Sequence, residues 1–155
     1  MYFLIIADIE DLPELQEMEQ GLISVERTMD PTIKEGKISY YDIAALIEAP
    51  DAEVYVIEYE KKIVASGYAR IKGDRHYLKH KNQGYLGFMF VKEAHRGKGL
   101  NQLIIDSLIK WCESQEVYEI RLDVYETNPS AIRAYEKAGF KKHMVTMRFN
   151  SKDQS

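Results

Sequence analysis

Two stretches of this sequence carry residues whose types and order could do chemistry. The first is Arg96-Gly97-Lys98-Gly99-Leu100, which follows the apolar run 85–91 and opens a long amphipathic stretch over 97–115. Glycines at a helix start let the backbone approach an anion closely. The first amides of a helix lack internal partners, and the helix dipole favours negative charge beside them. Arg96 and Lys98 add positive charge, so a pyrophosphate suits this loop. It is neither a dinucleotide fingerprint nor a P-loop: Gln102 stands at the third glycine position of the former, and the Gly-Lys-Ser/Thr of the latter is absent. A plain glycine-rich helix entry fits the same residues.

The second stretch reads Asn128-Pro129, then a helical pattern with Ala131 and Tyr135, then Gly139-Phe140. Asn128 can cap a helix over 129–138, with Pro129 at its first position and Gly139 at its end. Capping and ligand contact are both open to Asn128. A lone helix tyrosine such as Tyr135 is most often a half-buried packing residue.

The elements that must position these residues can be read along the chain. Residues 2–6 form a short strand. Asp8 or Asp11 caps the helix that follows, with Pro13 in its first turn and Leu12, Leu15, Met18, Leu22 and Ile23 as its apolar stripe. A second helix begins at Ser39, with Asp42 completing a capping box, and stops before Pro50. Residues 53–59 and 63–71 form a hairpin, 72–84 a polar, basic, mobile loop, and 85–91 a strand buried on both faces. The helix 97–115, a strand over 118–125, the helix 129–138 and a last strand over 140–149 complete the order. This predicts a mixed α/β sheet with helices on both faces.

The chain has 155 residues, which predicts one domain over 1–150 and a disordered tail over 151–155. A net charge of −4 argues against a nucleic-acid partner, despite the local run "KGDRHYLKHK" at 72–81. The single cysteine, Cys112, rules out an internal disulfide framework and fits a cytoplasmic protein. Its place in the apolar side of helix 97–115 makes it a core residue. No apolar run reaches the ~18 residues of a membrane span, and the start reads as a strand rather than a signal peptide.

Together, in this order, the two motifs are more specific than either alone. The stretch from Val91 to Phe140 resembles the GCN5-related N-acetyltransferase superfamily: "RGKGL" is similar to its pyrophosphate loop, and Asn128, Ala131, Tyr135, Gly139 and Phe140 match its N-x-x-A-x-x-x-Y-x-x-x-G-F signature. The resemblance implies an acyl-CoA N-acyltransferase fold with a splayed central sheet. It implies acetyl-CoA as cosubstrate and no metal. It also implies a small-molecule or peptide amine as acceptor, and allows a homodimer. The pantetheine arm would lie between strands 85–91 and 118–125, against the backbone of Met89, Phe90 and Val91. The amides of Arg96, Gly97, Lys98, Gly99, Leu100 and Asn101 would hold the pyrophosphate. Asn128 and Ala131 would meet the cofactor arm. The Met89 N–H would stabilise the oxyanion, and Tyr135 would protonate the departing thiolate.

Two positions depart from the family pattern. Ala94 stands where the loop usually begins with Gln or Arg. The strand 85–91 carries no acid, where many members have a catalytic glutamate. The base then comes from elsewhere, with Glu126 first and Asp123, Glu58, His76 and His80 as other candidates, or a water chain or a low-pKa amine makes one unnecessary. Tyr40, Tyr41, Tyr68, Tyr77 and Tyr85 either line an acceptor pocket or serve packing. The missing strand acid also raises a rival reading, a non-catalytic acyl-CoA-binding regulatory module.

Overall fold

A computed structural model describes residues 1–153 of the chain. Its elements are β1 (Tyr2–Ile6), α1 (Leu12–Arg27), α2 (Ile43–Glu48), β2 (Ala52–Tyr59), β3 (Lys62–Gly73), β4 (Asn82–Val91), α3 (Leu100–Ser114), β5 (Ile120–Arg121) and α4 (Pro129–Lys137). The strands form one open sheet in the order β1-β2-β3-β4-β5. The first four are antiparallel neighbours, and β5 joins β4 in parallel. Glu60 and Lys61, both at positive φ, make the two-residue turn of the β2–β3 hairpin.

Alternation along the strands feeds a core on each face. On one, Leu15, Met18 and Leu22 of α1 and Ile43 and Leu46 of α2 pack on Val54, Val56, Tyr68 and Phe88. On the other, Ile104, Leu108 and Cys112 of α3 pack on Ile57, Ala65, Ala69 and Leu86. Each fully buried aliphatic side chain contributes about 1.5–3 kcal/mol, so these clusters hold the sheet and its helices as one body. The fold is the expected mixed, splayed sheet with helices on both faces.

Several boundaries differ from expectation, each for a local reason. Asp8, not Asp11, accepts from an amide at the start of the first helical region, and Asp11 returns the bond to the Asp8 N–H. Helix α2 starts at Ile43 with Asp42 as its cap, because Ser39 and the amides of Tyr40 and Tyr41 are taken by the buried Glu19 carboxylate. Pairing of Lys72 with Gln83 and of Gly73 with Asn82 shortens the loop expected at 72–84 to residues 74–81. Within that loop Asp74 meets His80 at 2.6 Å and Arg121 at 3.2 Å. The strand expected over 118–125 keeps a ladder only at Ile120–Arg121, because the chain then diverges from β4. Residues 141–149 are exposed and form no strand among the described residues. Of the expected tail, Asn150 to Asp153 close a turn, and 154–155 lie outside the described residues.

Candidate active site

The site is built on an irregularity in β4. Ser66 pairs with Phe90, and Tyr68 pairs with Gly87, so one residue of β3 faces two of β4. This is a β-bulge. Phe88 takes φ 52° there, a left-handed conformation uncommon for a bulky side chain. Both of its backbone polar groups go to side chains instead of the ladder. Its carbonyl accepts from Ser66 Oγ at 2.9 Å, and its N–H donates to Tyr41 Oη at 3.3 Å. Ser66 is fully buried, so that bond is shielded from water. The bulge re-aims the next residue, Met89. Its side chain lies on the α3 face, close against Gly67, where a Cβ would come within 2.7 Å of the Met89 sulfur.

Beyond the bulge the sheet opens. Strand β5 pairs with β4 only at Gly84–Ile120 and Tyr85–Arg121, so Leu86 to Val91 have no strand beside them on that edge. The Tyr85 hydroxyl donates to Asp123 at 2.9 Å and bridges the start of the gap. This is the splay that the sequence resemblance implied between 85–91 and 118–125.

At the end of β4 the chain enters the glycine loop. Gly97 and Gly99 have φ of 77° and 76°, values that disfavour any side chain. Gly99 is the N-cap of α3 and supplies no capping side chain. The first intrahelical bond there runs from Leu103 N to Gly99 O. The amides of Leu100, Asn101 and Gln102 are therefore the unsatisfied first turn of a 15-residue helix. Gln102 was not among the expected contacts, but its amide belongs to this set. Arg96 behaves differently from expectation. Its amide is taken by Glu93 O at 3.3 Å, and its guanidinium folds back to donate to the Val91 carbonyl at 3.0 Å. The expected anion cradle thus begins at Gly97, and the Val91 carbonyl already has a donor within the chain. Tyr2 Oη and His95 Nδ1, 2.9 Å apart, tie β1 to this loop.

Helix α4 brings the second motif. Asn128 caps it, its Oδ1 accepting from Ala131 N at 3.2 Å. The side-chain amide nitrogen keeps the donors a ligand could use. Tyr135 is half-buried and stands edge-on to Phe140, with ring centres 6.0 Å apart. Burial first, and the Glu26 charge second, push its hydroxyl up to about 12, so it holds its proton at neutral pH.

Glu26 was not expected. It lies half-buried in the last turns of α1, and its charge acts on Tyr40, Tyr125 and Tyr135 together. Burial raises its carboxyl above the ordinary value, the Tyr40 hydroxyl works against that, and Asp30 adds to it. Tyr40 Oη is itself enclosed without a hydrogen bond of good geometry. Its loop is anchored by Glu19, only 2% exposed, which accepts from the amides of Tyr40 and Tyr41 at 2.9 Å each. A sequence signal existed for both acids. Glu19 and Glu26 continue the Leu15–Met18–Leu22–Ile23 stripe at helical spacing, and an acid on an apolar stripe is buried for a reason.

Of the bases expected from sequence, Asp123 stands at the gap between β4 and β5. Glu126 is exposed. Glu58 pairs with Phe3 at the opposite edge of the sheet. Asp123 accepts from Tyr85, His80 meets Asp74, and His76 stacks on the exposed Tyr77. Of the tyrosines, Tyr40, Tyr41 and Tyr68 do gather, with Asp42, Leu46, Arg70 and Lys72, around a concavity of about 200 Å³. Tyr85 lies beside it under Lys72, whose ammonium is 4.4 Å from the ring centre. Cys112 is core, as expected, and burial pushes its thiol up to about 11. Among the described residues no helix is long and apolar enough to cross a membrane, and no cluster of acidic, histidine or cysteine side chains could hold a metal.

Comparison with known proteins agrees with this geometry. The chain is 32% identical over 111 residues to the human Cysteine-rich protein 2-binding protein, a match covering 72% of this chain and 13% of that protein. It spans only about an eighth of that relative's length. Its fold matches the BH1408 protein of Bacillus halodurans with a TM-score of 0.85 at 21% identity, covering 96% of this chain and 98% of that one. It also matches a predicted acetyltransferase from Clostridium acetobutylicum solved with acetyl-CoA, with a TM-score of 0.73 at 18% identity over 97% and 96% of the two chains. The profile of the Acetyltransferase (GNAT) family covers residues 17–140, from within α1 through the bulge, the glycine loop and α4, and the chain belongs to that family.

Proposed function

We propose that this chain transfers an acetyl group from acetyl-CoA to a primary amine, of a small molecule or of a peptide N-terminus, by direct attack through a tetrahedral intermediate. The observation that carries this reading is the open edge of β4 from Leu86 to Val91, aimed at the uncapped first turn of α3. An extended thioester arm fits the edge, and a pyrophosphate fits the amides from Gly97 to Gln102. The Clostridium acetobutylicum neighbour, solved with acetyl-CoA, supports the choice of ligand. The chemistry needs no resident metal.

Each step is assigned to one group of the chain. An acceptor amine with a pKa near ~10 arrives mostly protonated. Glu26, whose carboxyl is raised by burial, takes that proton directly or through water. The amine nitrogen then bonds to the thioester carbon, and the carbonyl oxygen becomes an oxyanion, facing the Met89 N–H just past the bulge. Collapse re-forms the carbonyl and breaks the C–S bond, Tyr135 gives its proton to the departing thiolate, and the second proton, released from the attacking nitrogen, returns to Tyr135 through water. The products are the amide and CoA. We assign the base to Glu26 rather than Glu126 because Glu26 is half-buried with a raised carboxyl, whereas Glu126 is exposed.

The test is thiol release from acetyl-CoA across a panel of amines. Tyr135→Phe should lower kcat by about 10²–10⁴-fold while leaving the acetyl-CoA dissociation constant nearly unchanged. Unchanged turnover would remove Tyr135 from the mechanism. The acid-free strand β4 favours one rival, a module that binds acyl-CoA and does no chemistry. Acetyl-CoA binding with no thiol release on any amine would decide for it. A melting-temperature rise with acetyl-CoA, absent with NAD and ATP, checks the groove first. At 100 times Kd it should reach about 2.7 kcal/mol of stabilisation.

A further inference from the structure

The concavity lined by Tyr40, Tyr41 and Tyr68 has two unlike ends. Its rings touch in succession: Tyr40 stands edge-on to Tyr41 with centres 5.7 Å apart, and Tyr41 stands edge-on to Tyr68 at 5.5 Å. One end adjoins the proposed base, since the Glu26 charge acts on Tyr40. The middle touches the bulge, where Tyr41 Oη takes the Phe88 N–H, one residue before Met89. The other end carries two cations. Arg70 and Lys72 follow Tyr68 at alternate positions of β3, and so share its face of the sheet. The Arg70 charge partly offsets the rise that burial gives the Tyr68 hydroxyl, as a neighbour's would.

The chain's own acids leave these cations poorly matched. Arg70 reaches only Asp51, at 3.7 Å, with the two side chains 40% and 51% exposed, a solvent-screened pair that a ligand can displace. The Lys72 ammonium forms no ion pair among the described residues and lies 4.4 Å from the Tyr85 ring centre. The acids nearby are engaged elsewhere. Asp42, which also lines the concavity, caps α2 by accepting from the Ala45 amide at 3.1 Å, and Asp123 accepts from the Tyr85 hydroxyl. Arg70 pairs across the sheet with Tyr85, four residues before Met89. At about 3.3 Å per residue, with one residue taken up by the bulge, the cations lie roughly 10 Å from the Met89 amide.

We propose that the acceptor is an elongated amine with an anionic group, a carboxylate or a phosphate, at the end away from its nitrogen, and that Arg70 and Lys72 bind that group. The planar guanidinium fork matches either oxyanion, and the ammonium adds a point charge beside it. The tyrosine rings cover the carbon chain between the two ends. An acceptor whose amine and carboxylate are adjacent cannot reach both ends, and a diamine is repelled at the far one. This specificity rests on the acetyl-transfer reading.

Thiol release by the wild type from acetyl-CoA tests it without any variant, each rate referred to the unprotonated amine. Epsilon-aminocaproate should exceed its own amide in kcat/KM by about tenfold to a hundredfold, through KM. Beta-alanine, too short to span the concavity, should show no such gain over its amide. A gain of aminohexyl phosphate over aminohexanol in place of the carboxylate gain supports the proposal and identifies the anion as phosphate. Arg70→Gln with Lys72→Gln should bring the acid-to-amide ratio near one. Arg70→Glu with Lys72→Glu should turn the preference towards hexamethylenediamine, a reversal that a merely structural role would not produce. Equal rates for the charged and neutral members of both wild-type pairs, or a ratio that survives the glutamine double substitution, overturn the proposal and leave acetyl transfer standing. If no amine releases thiol, the acetyl-transfer reading fails, and calorimetry decides the binding site. Epsilon-aminocaproate should then bind the acetyl-CoA complex of the wild type more tightly than that of the glutamine double variant, and equal binding overturns the proposal.

Discussion

The two halves of the candidate site rest on different foundations. The bulge and the glycine loop join β4 and α3, between two core clusters where Leu15, Ile23, Ile57, Ile104 and Leu108 are fully enclosed. Asn128 and Tyr135 lie on α4, which has no fully buried residue, beside a strand of two residues. Glu26 is on the well-packed helix α1, and its charge acts on Tyr135 of the loose region. The division suits the proposed chemistry. A cofactor arm needs a rigid edge to lie on, because misplacing the reacting carbonyl is costly. A proton donor on a less anchored helix can move as substrate enters and product leaves.

The largest expected effect comes from breaking the link between the regions. Glu26→Gln should lower kcat/KM by about 10²–10⁴-fold, with acetyl-CoA binding intact. The wild type should lose rate as pH falls through a pKa above that of an ordinary carboxylate, since burial raises Glu26 and only its ionised form takes a proton. The glutamine variant should lack that acidic limb. Tyr135, up at about 12, should add no alkaline limb near neutrality. A glutamine variant with wild-type rate and pH profile would return the base to Glu126 or to water.

The next effect sharpens the comparison on the rigid side. Glu19→Ala strands the amides of Tyr40 and Tyr41 in a buried setting, which costs roughly 2–4 kcal/mol. For this chain length that is a melting-temperature loss of roughly 5–15 °C. Acceptor KM should rise as well, because the same loop presents Tyr40 and Tyr41 to the concavity. A variant that melts with the wild type would mean that solvent reaches those amides.

How much of this could be read in the sequence differs between the same two regions. The glycine loop, the Asn128 cap and the Tyr135 helix are local patterns, so spacing alone found them. The bulge depends on how Ser66 and Tyr68 register against Phe90 and Gly87, a match between distant strands that neither shows by itself. The strand expected over 118–125 had the right alternation but lost its neighbour when β4 and β5 parted. The one expected over 140–149 has the pattern but forms no ladder among the described residues. Arg96 shows a different limit: its type suggested phosphate contact, and only the fold shows its guanidinium turned back on Val91.

The smallest effect tests whether the loose region is energetically separate. Asn128→Ala removes the bond to the Ala131 amide, worth about 1 kcal/mol to the start of α4. Gly99→Ala places a side chain at φ 76° at the entry of α3, a cost of similar size, about 1–2 kcal/mol. If α4 is only locally anchored, the two should part company despite matched energies. Gly99→Ala should lower the global melting temperature, because α3 belongs to the central core. Asn128→Ala should leave that temperature nearly unchanged and instead speed hydrogen exchange across 129–137, since a segment that opens by itself does not draw on the global transition. Equal shifts in global melting would show that α4 unfolds with the core, and the contrast between the regions would then be one of burial alone.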